Sequence, residues 1–538
     1  QKLSLFCVDL NLHGGNTVIS GEAFPLMSTV NKEKGMIGAA AFDLCDVSEF
    51  AAFHSQFAGG FISTILGEER IDQIIREGTG LEDGYMDMES ILNAGDIQNL
   101  PSMTLFTLVI FSYILLVGPV FYLFLRDRQL EFYYRPGVFF ISLLFFALMI
   151  LVGSKTRFYR VFYNYFTIYN ADENDVNEKT YVNVRSPVNK DFSLGVEGSY
   201  SVSPVINQSY ILNIEEFSPS TTPHIEIDRQ EHTQTISFHK VGAFMPNVFD
   251  FEKTVENTRK EGFVGEITLF ENKLYGYVTN RYKYSVKNAA IIFYGKVALL
   301  GHLDPGETID LEKVSVMNIP MTNYNTVANY LTGLDQMNMG DSGYMDRMNM
   351  SNFINFYLNQ NVNGYTADAG IIGFSESPLN TSLFLKDTFT SSGMTLLTSV
   401  MSINTVFEDR VYRQVLLKNP TVLSGSYDLK RNAIANADAL VLDYHLEDTD
   451  IDVLTFEPVD AYFSEAEDNN EINIFDGEIA LLNYQKGGYE KIGQTSFTYE
   501  ELKPYISENT LRVRYAATPG NDMETALPML SFVGDMEE

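Results

Sequence analysis

Two long apolar runs without a formal charge, set ten residues or so apart, restrict the possible folds of this chain more than any other feature. The first, Thr104 to Leu125, reads TLFTLVIFSYILLVGPVFYLFL. As a helix rising about 1.5 Å per residue it is roughly 33 Å long, which matches the hydrocarbon core of a bilayer. The second, Gly137 to Gly153, reads GVFFISLLFFALMILVG and lies at the short end for a span. A buried core helix is the alternative reading of this second run. The connection Arg126 to Arg135, RDRQLEFYYR, is too short for anything but a hairpin, so both flanks lie on one side. Arg126, Arg128 and Arg135 mark that connection as cytoplasmic, since cytoplasmic loops carry an excess of basic residues. The flank before the first run, AGDIQNLPSMT, has no basic residue. Lys155, Arg157 and Arg160 after the second run work against the assignment, and the first helix sets the orientation. Gly118-Pro119 inside the first run predicts a kink, because proline removes one backbone hydrogen bond. Tyr133, Tyr134, Phe158 and Tyr159 suit the headgroup layer. Neither run contains an ionisable residue, so the pair offers no proton or ion path and reads as an anchor or as a docking surface for another membrane subunit.

The remaining composition narrows the partners. The chain has 538 residues, 70 of them acidic and 37 basic, for a net charge of −33. Such a surface is a poor match for nucleic acid, whose phosphates demand a basic face. It also avoids anionic headgroups while keeping an exported domain soluble, and it makes a divalent cation a conceivable ligand. A hydrophobic share of 45% against 20% charged residues fits folded structure. The sequence starts at Gln1 without a methionine or a signal peptide, so it reads as a piece of a longer protein. Cys7 and Cys45 are the two cysteines. They could pair, or be small apolar residues in strand and helix. A long exported region without disulfides points to a bacterium.

Residues 1–100 read as the tail of an α/β domain. Leu3–Leu10 and Met36–Phe42 are strand candidates, the second following a Lys34-Gly35 turn and ending at Asp43. Asp46 can cap a helix running to about Leu66, with Phe50, Phe53, Phe57 and Phe61 on one face. Asp43 and Asp46 read as turn and cap residues rather than as a site. Cys7 lacks the flanking glycines of a nucleophile elbow, and His13 has no orienting partner. The order GMIGAAAFDLCD, an aromatic helix, LPS, then YILLVGPVFYLFLRDR resembles an uncharacterised family of bacterial, chiefly Gram-positive, membrane proteins. In that family a class I glutamine amidotransferase-like α/β domain, usually without catalytic residues, precedes two membrane helices and an extracellular β region. The resemblance implies that residues 1–100 are the C-terminal part of such a domain. Its nucleophile position would precede Gln1, so no catalytic residue is carried over.

Beyond the second run the pattern becomes short alternating strands with turn signals. Three modules are expected: a β-sandwich over 160–318, a mixed α/β module over 319–420, and a jelly-roll-like sandwich over 421–538. In the first, Glu266–Phe270 and Leu274–Val278 alternate around Glu271-Asn272-Lys273 as a hairpin. Asp304-Pro305-Gly306-Glu307 is a type I or II turn. The strings YGYVTN and LGHLDPGE also resemble the same family's sandwich. In the second, Thr326–Leu358 predicts two helices broken at Gly340-Asp341-Ser342-Gly343. Their Met337, Met339, Met345, Met348 and Met350 either fill a core or form an adaptable surface. AGIIGFSESPL and GMTLLTSVMSI close that module as a strand pair. In the third, ALLNYQKGGYEKIG, LRVRYAA and LPMLSFVG resemble jelly-roll modules, including carbohydrate binders. Tyr484 and Tyr489 could stack on a sugar face, or bridge core and solvent as structural tyrosines.

Motifs that carry chemistry are few. Asp448, Asp450 and Asp452 alternate as calcium ligands do, but Val453 and Val459 stand where a glycine and a bidentate glutamate are required. Asp172–Glu178 and Glu465–Glu471 read as solvated acidic loops. His302 stands alone. Phosphate loops, zinc spacings and serine–histidine–aspartate orders with an elbow are absent. No catalytic residue, metal site or cofactor is therefore expected. The fold class expected is a multidomain α+β membrane protein with a transmembrane hairpin over 101–155 and a mainly-β exported region. The functions expected are a non-catalytic scaffold or accessory subunit of a cell-envelope complex such as an ABC-type exporter, a cell-surface glycan or polymer binder, or an amidotransferase-like hydrolase whose active residues lie upstream.

Overall fold

The computed structural model describes residues 6–8, 15–21, 25–32, 35–43, 47, 61, 64–65, 88–93, 103–154, 161–205, 224–230, 232–293, 295–322, 324–361, 368–377, 379, 383–385, 389–429, 431–434, 439–446, 451–464, 473–516 and 525–535. Contacts divide the chain into two units, 1–85 and 86–538.

In the first unit, β1 (Asn16–Ser20), β2 (Pro25–Lys32) and β3 (Gly35–Ala40) form an antiparallel meander. Lys32 pairs with Gly35 across a tight connection, and Cys7 bridges Phe42 beyond the end of β3. The strand expected at Met36–Phe42 is present, whereas β1 and β2 were not anticipated. Cys45, Asp46 and most of the expected aromatic helix lie outside the described residues.

The second unit opens on a helical pair. Helix α1 (Met103–Leu115) runs through a widened turn (Leu116–Val120) into α2 (Phe121–Asp127), and α3 (Tyr134–Ser154) follows. Contacts of Tyr113 with Ser142 and of Phe121 with Tyr134 make the two arms antiparallel. The stretch Phe106–Asp127 is long and apolar enough to cross a membrane; the apolar part of the second arm, Tyr134–Ile150, is shorter.

Beyond it the chain is mainly β. In order come β4 (Phe162–Ala171), β5 (Asp175–Arg185), β6 (Phe192–Glu197), β7 (Ser201–Pro204), β8 (His224–Arg229), β9 (Thr233–His239), β10 (Asn247–Glu256), β11 (Phe263–Phe270) and β12 (Lys273–Asn280). Then follow β13 (Val286–Phe293), β14 (Lys296–Leu303), β15 (Thr308–Asp310), β16 (Val316–Asn318), helices α4 (Tyr324–Thr332) and α5 (Tyr344–Asn361), β17 (Asp368–Ser375), β18 (Phe384–Leu385) and β19 (Thr390–Asn404). One sheet runs β16-β14-β13-β17-β19-β4-β5-β10-β7. Its neighbours are antiparallel except β19 and β4, which run parallel from Thr390↔Phe162 to Thr398↔Asn170. The far end of β19 pairs with β11 at Ile267↔Ile403, so this strand passes from one layer into a second one, β11-β12-β15.

Three coverings bury the large sheet. At one end the small sheet β18-β6-β9-β8 packs Leu194, Val196, Ile236 and Phe238 onto Tyr163, Val182, Phe249 and Phe251. Strict alternation in β9, where Gln234, Ile236 and Phe238 point inward, makes that packing possible. At the other end β11 and β12 pack Ile267, Leu269, Leu274 and Val278 onto Ile291, Ala298, Ile371 and Leu397. Phe353 and Phe356 of α5 meet Phe166, Tyr181 and Phe374 of the large sheet with ring centroids 4.7–5.7 Å apart. Strands from both sides of the expected 318–319 boundary share one sheet, with α4 and α5 as the crossover between β16 and β17. The helix break expected near Gly340–Gly343 is present, as is the strand pair β17–β19.

Residues 406–535 contribute a five-stranded sheet, a six-stranded sheet and a smaller one. The first two share a core in which Leu454, Phe456 and Phe532 meet Leu442, Tyr444, Val513 and Tyr515, which is a β-sandwich.

Candidate functional site

The helical pair holds most of the residues singled out in the sequence. Gly118 and Pro119 lie in the widened turn, which absorbs the missing N–H of proline by longer-range backbone bonding. Tyr134 of α3 donates to the Val117 carbonyl of that turn at 3.1 Å. Gly118 has open space around its Cα, whereas the Phe121 ring occupies the place a Cβ at Gly137 would take. The close approach of the arms is therefore made at Gly137. Tyr113 and Ser142 share a hydrogen bond of 2.9 Å beside a shallow groove of 410 Å³ lined by Val109, Ile110, Phe145, Phe146 and Met149. Arg126, Arg128 and Arg135 are exposed at the connecting turn, and Arg128 lies 4.6 Å over the Phe124 ring.

A second cluster is buried where the large sheet meets the C-terminal sandwich. Lys296, at the start of β14, is fully buried. Its ammonium donates to Asn272 in the β11–β12 turn, to Asn318 of β16 at 2.6 Å, and to Glu457 of the strand Ile451–Glu457. Glu457 also accepts from Tyr412 at 2.8 Å, from Ser531, and from Gln414 at 3.4 Å. Burial pushes the Lys296 ammonium down and the facing carboxylate opposes that shift. Burial next to Glu457 pushes the Tyr412 hydroxyl well up. No substrate can reach a lysine with no exposed surface, so this ion pair ties two β layers together rather than doing chemistry. Nothing in the local sequence of Lys296 marks it; the one signal is a charge standing at an inward position of an apolar strand.

The third cluster lies on the outer face of the six-stranded sheet and contains both tyrosines expected there. Tyr489 pairs with Leu482 across the hairpin, and the Arg514 guanidinium lies 5.3 Å over its ring. Arg512 grips Asp443 of the neighbouring strand with two bonds of 2.7 and 2.9 Å. Tyr484 and Tyr489 are each 37% exposed. Partial burial raises the Tyr484 hydroxyl, and Arg512 opposes that shift. On the other face of the same strand, Glu490 accepts from Lys486, Tyr505 and Asn483, which together pull its carboxyl down to about 2. Sequence reading named the tyrosines and missed Asp443, Arg512 and Arg514, which only strand pairing brings alongside.

Other expected positions are plain. His302 is half-exposed, 3.3 Å from Asp304 and 3.7 Å from Glu376. Asp172 and Glu173 line a cleft of 840 Å³ together with Lys260, Glu261 and Arg281. Asp452 is paired with Arg410 at 2.7 Å, while Asp448, Asp450 and Glu465–Glu471 lie outside the described residues. Among the described residues no three His, Cys, Asp or Glu side chains converge as metal ligands. Met350 is buried, whereas Met339 and Met345 are exposed.

These features define a class: a mainly-β, multi-sheet chain with an apolar helical pair and, among the described residues, a buried ion pair between its β layers. Residues 262–404, from β11 through β19, match a family described as a domain of unknown function (DUF8725). No curated protein matches the chain. Among solved structures, the yeast delta-COP mu-homology domain, complexed with a Dsl1 WxWxV peptide, is similar over 45% of this chain and 96% of its own. The identity is 7% and the TM-score 0.21, at which the likeness informs neither fold nor function.

Proposed function

We propose that this protein is a membrane-anchored, non-enzymatic β scaffold of a bacterial cell envelope, an accessory subunit that holds its exported sheets beside a membrane partner such as an ABC-type exporter. One observation carries the reading: the apolar side chains of the helical pair face outward. Leu108, Phe111, Phe139, Phe140, Leu144 and Phe146 are each 60–68% exposed. A core helix of a soluble protein buries such groups, and each large apolar side chain left in water forgoes about 1.5–3 kcal/mol. Lipid removes that penalty. The second arm, at about 26 Å for the seventeen residues Tyr134–Ile150, crosses only with local thinning or with Tyr133 and Tyr134 anchored at the surface. Exposed Arg126, Arg128 and Arg135 support a cytoplasmic connecting turn with both flanks outside. The resemblance to the amidotransferase-like membrane family supports the same arrangement. The test is labelling in intact cells with a membrane-impermeant maleimide, after Cys7 and Cys45 are replaced. Tyr489→Cys should label from outside and Arg128→Cys only after lysis; the reverse pattern ends the proposal. Purification from mild detergent should recover a second envelope protein, and recovery of this chain alone would remove the accessory role.

A second reading, a binder of envelope glycan, is favoured by the Tyr489–Arg514 stack beside the Arg512–Asp443 pair, since flat aromatic and guanidinium faces suit sugar rings. Tyr489→Ala should lower retention on isolated cell walls several-fold; unchanged retention removes this reading.

A further inference from the structure

The large sheet has one end fixed close to the helical pair. Helix α3 ends at Ser154 and β4 starts at Phe162, so the chain between them spans at most about 28 Å. The segment preceding α1 reaches the same end: Asn164 of β4 donates to the Leu92 carbonyl at 2.9 Å, and Asn183 and Arg185 of β5 donate to the Asn93 side chain. Phe162 pairs with Arg185, so both tethers meet at one place.

Two loops project from that end. Residues 186–191 join β5 to β6, and residues 240–246 join β9 to β10. They are braced together, with the Phe244 N–H donating to the Ser186 carbonyl at 2.7 Å and the Ala243 N–H to the Asn189 side chain at 2.5 Å. Their tips are apolar and turned out: Val188 is 48% exposed, Phe244 53% and Met245 37%. Phe244 sits at φ 59°, a left-handed conformation unfavourable for an aromatic residue, and the Phe162 ring lies 6.2 Å away. The charged neighbours in these loops are Lys190, Lys240 and Asp191; Asp191 is held by His239 at 3.0 Å and by the Lys240 N–H. In a chain of net charge −33 this end is locally basic and greasy.

We infer that the two loops form a membrane-seating tip: Val188, Phe244 and Met245 dip into the headgroup layer of the leaflet from which α1 and α3 emerge, with Lys190 and Lys240 on anionic headgroups. The inference rests on the membrane reading above. Aromatic side chains favour that layer, and a lysine ammonium can donate to the phosphate oxygens of an anionic headgroup. A tip of this kind fixes the tilt of the large sheet against the bilayer, which two covalent connections alone would not.

The chain contains no tryptophan, so a single introduced one reports on its own surroundings. Phe244→Trp, Val188→Trp, Phe111→Trp and Tyr499→Trp are each made in the full chain and placed in nanodiscs of phosphatidylcholine and phosphatidylglycerol, with and without bromine on the acyl chains. Phe111→Trp, on the lipid-facing side of α1, should lose intensity in brominated lipid. Phe244→Trp and Val188→Trp should emit to the blue of Tyr499→Trp and lose intensity to bromine placed near the headgroups. Quenching of Phe111→Trp without quenching of either loop variant overturns the tip and leaves the anchor standing. An unquenched Phe111→Trp overturns the anchor and the tip with it.

Discussion

At the residue scale, the pair Lys296–Glu457 is the position where a single atom group matters most. A buried charge stripped of its partner is far costlier than no charge at all. Lys296→Met should destabilise the chain by about 3–5 kcal/mol, because Glu457 is left ionised without its cation. Lys296→Met with Glu457→Leu should regain part of that loss, though Tyr412 and Ser531 then lack Glu457 and Asn318 lacks Lys296. Thermal melts of the single and double variants check this, and equal damage in both would contradict it. Glu490 gives a pH test. Its carboxyl is held at about 2 against an ordinary 4.5 by Lys486, then Tyr505, then Asn483. A depressed folded value contributes stability above the ordinary value and loses it as pH falls toward the folded one. Melting temperature should therefore drop between pH 4.5 and pH 2, and Glu490→Gln should flatten that drop while lowering the melting temperature at pH 7.

At the scale of elements, the legible parts were those whose rules are local. The β11–β12 hairpin was visible in its alternation, and its turn residues Glu271 and Asn272 both take positive φ, as a two-residue hairpin connection demands. Asp304–Glu307 resolves to a type II turn: Gly306 has φ 80°, and the Glu307 N–H bonds back to the Asp304 carbonyl. The apolar runs were visible for the same reason, since helix length and charge are properties of contiguous residues. What sequence could not show is partnership. Parallel β4 and β19 are 228 positions apart, and nothing in TSSGMTLLTSVMSIN names FYNYFTIYNA as its neighbour. The asparagine- and methionine-rich stretch around α4 and α5 breaks the strand pattern and so reads as a new module, although it only covers the sheet it leaves. Gly118 was conspicuous beside Pro119, yet contact falls on Gly137, whose role depends on a ring from the other arm. Gly137→Ala should cost about 1–3 kcal/mol by forcing Phe121 off its stack with Tyr134, while Gly118→Ala should be nearly neutral. Melts in detergent distinguish the two.

At the scale of the molecule, the matched domain is not a free-standing body. Residues 262–404 include β19 but not β4, β5 or β10, so cutting there exposes one edge of a 15-residue strand along most of its length. Open apolar edges pair with whatever chain is near. Expressed alone, 262–404 should aggregate, whereas 161–535 should remain soluble; size-exclusion chromatography of both fragments checks it.

The placement of β4 has a mechanical side. This strand is the first element after the helical pair, and it lies between β19 and β5, bonded to both along nearly its whole length. A pull on the chain before Phe162, directed along β4, meets two ladders in shear, whose bonds must fail together instead of one by one. Under such a load the sheet would give way as one body rather than strand by strand.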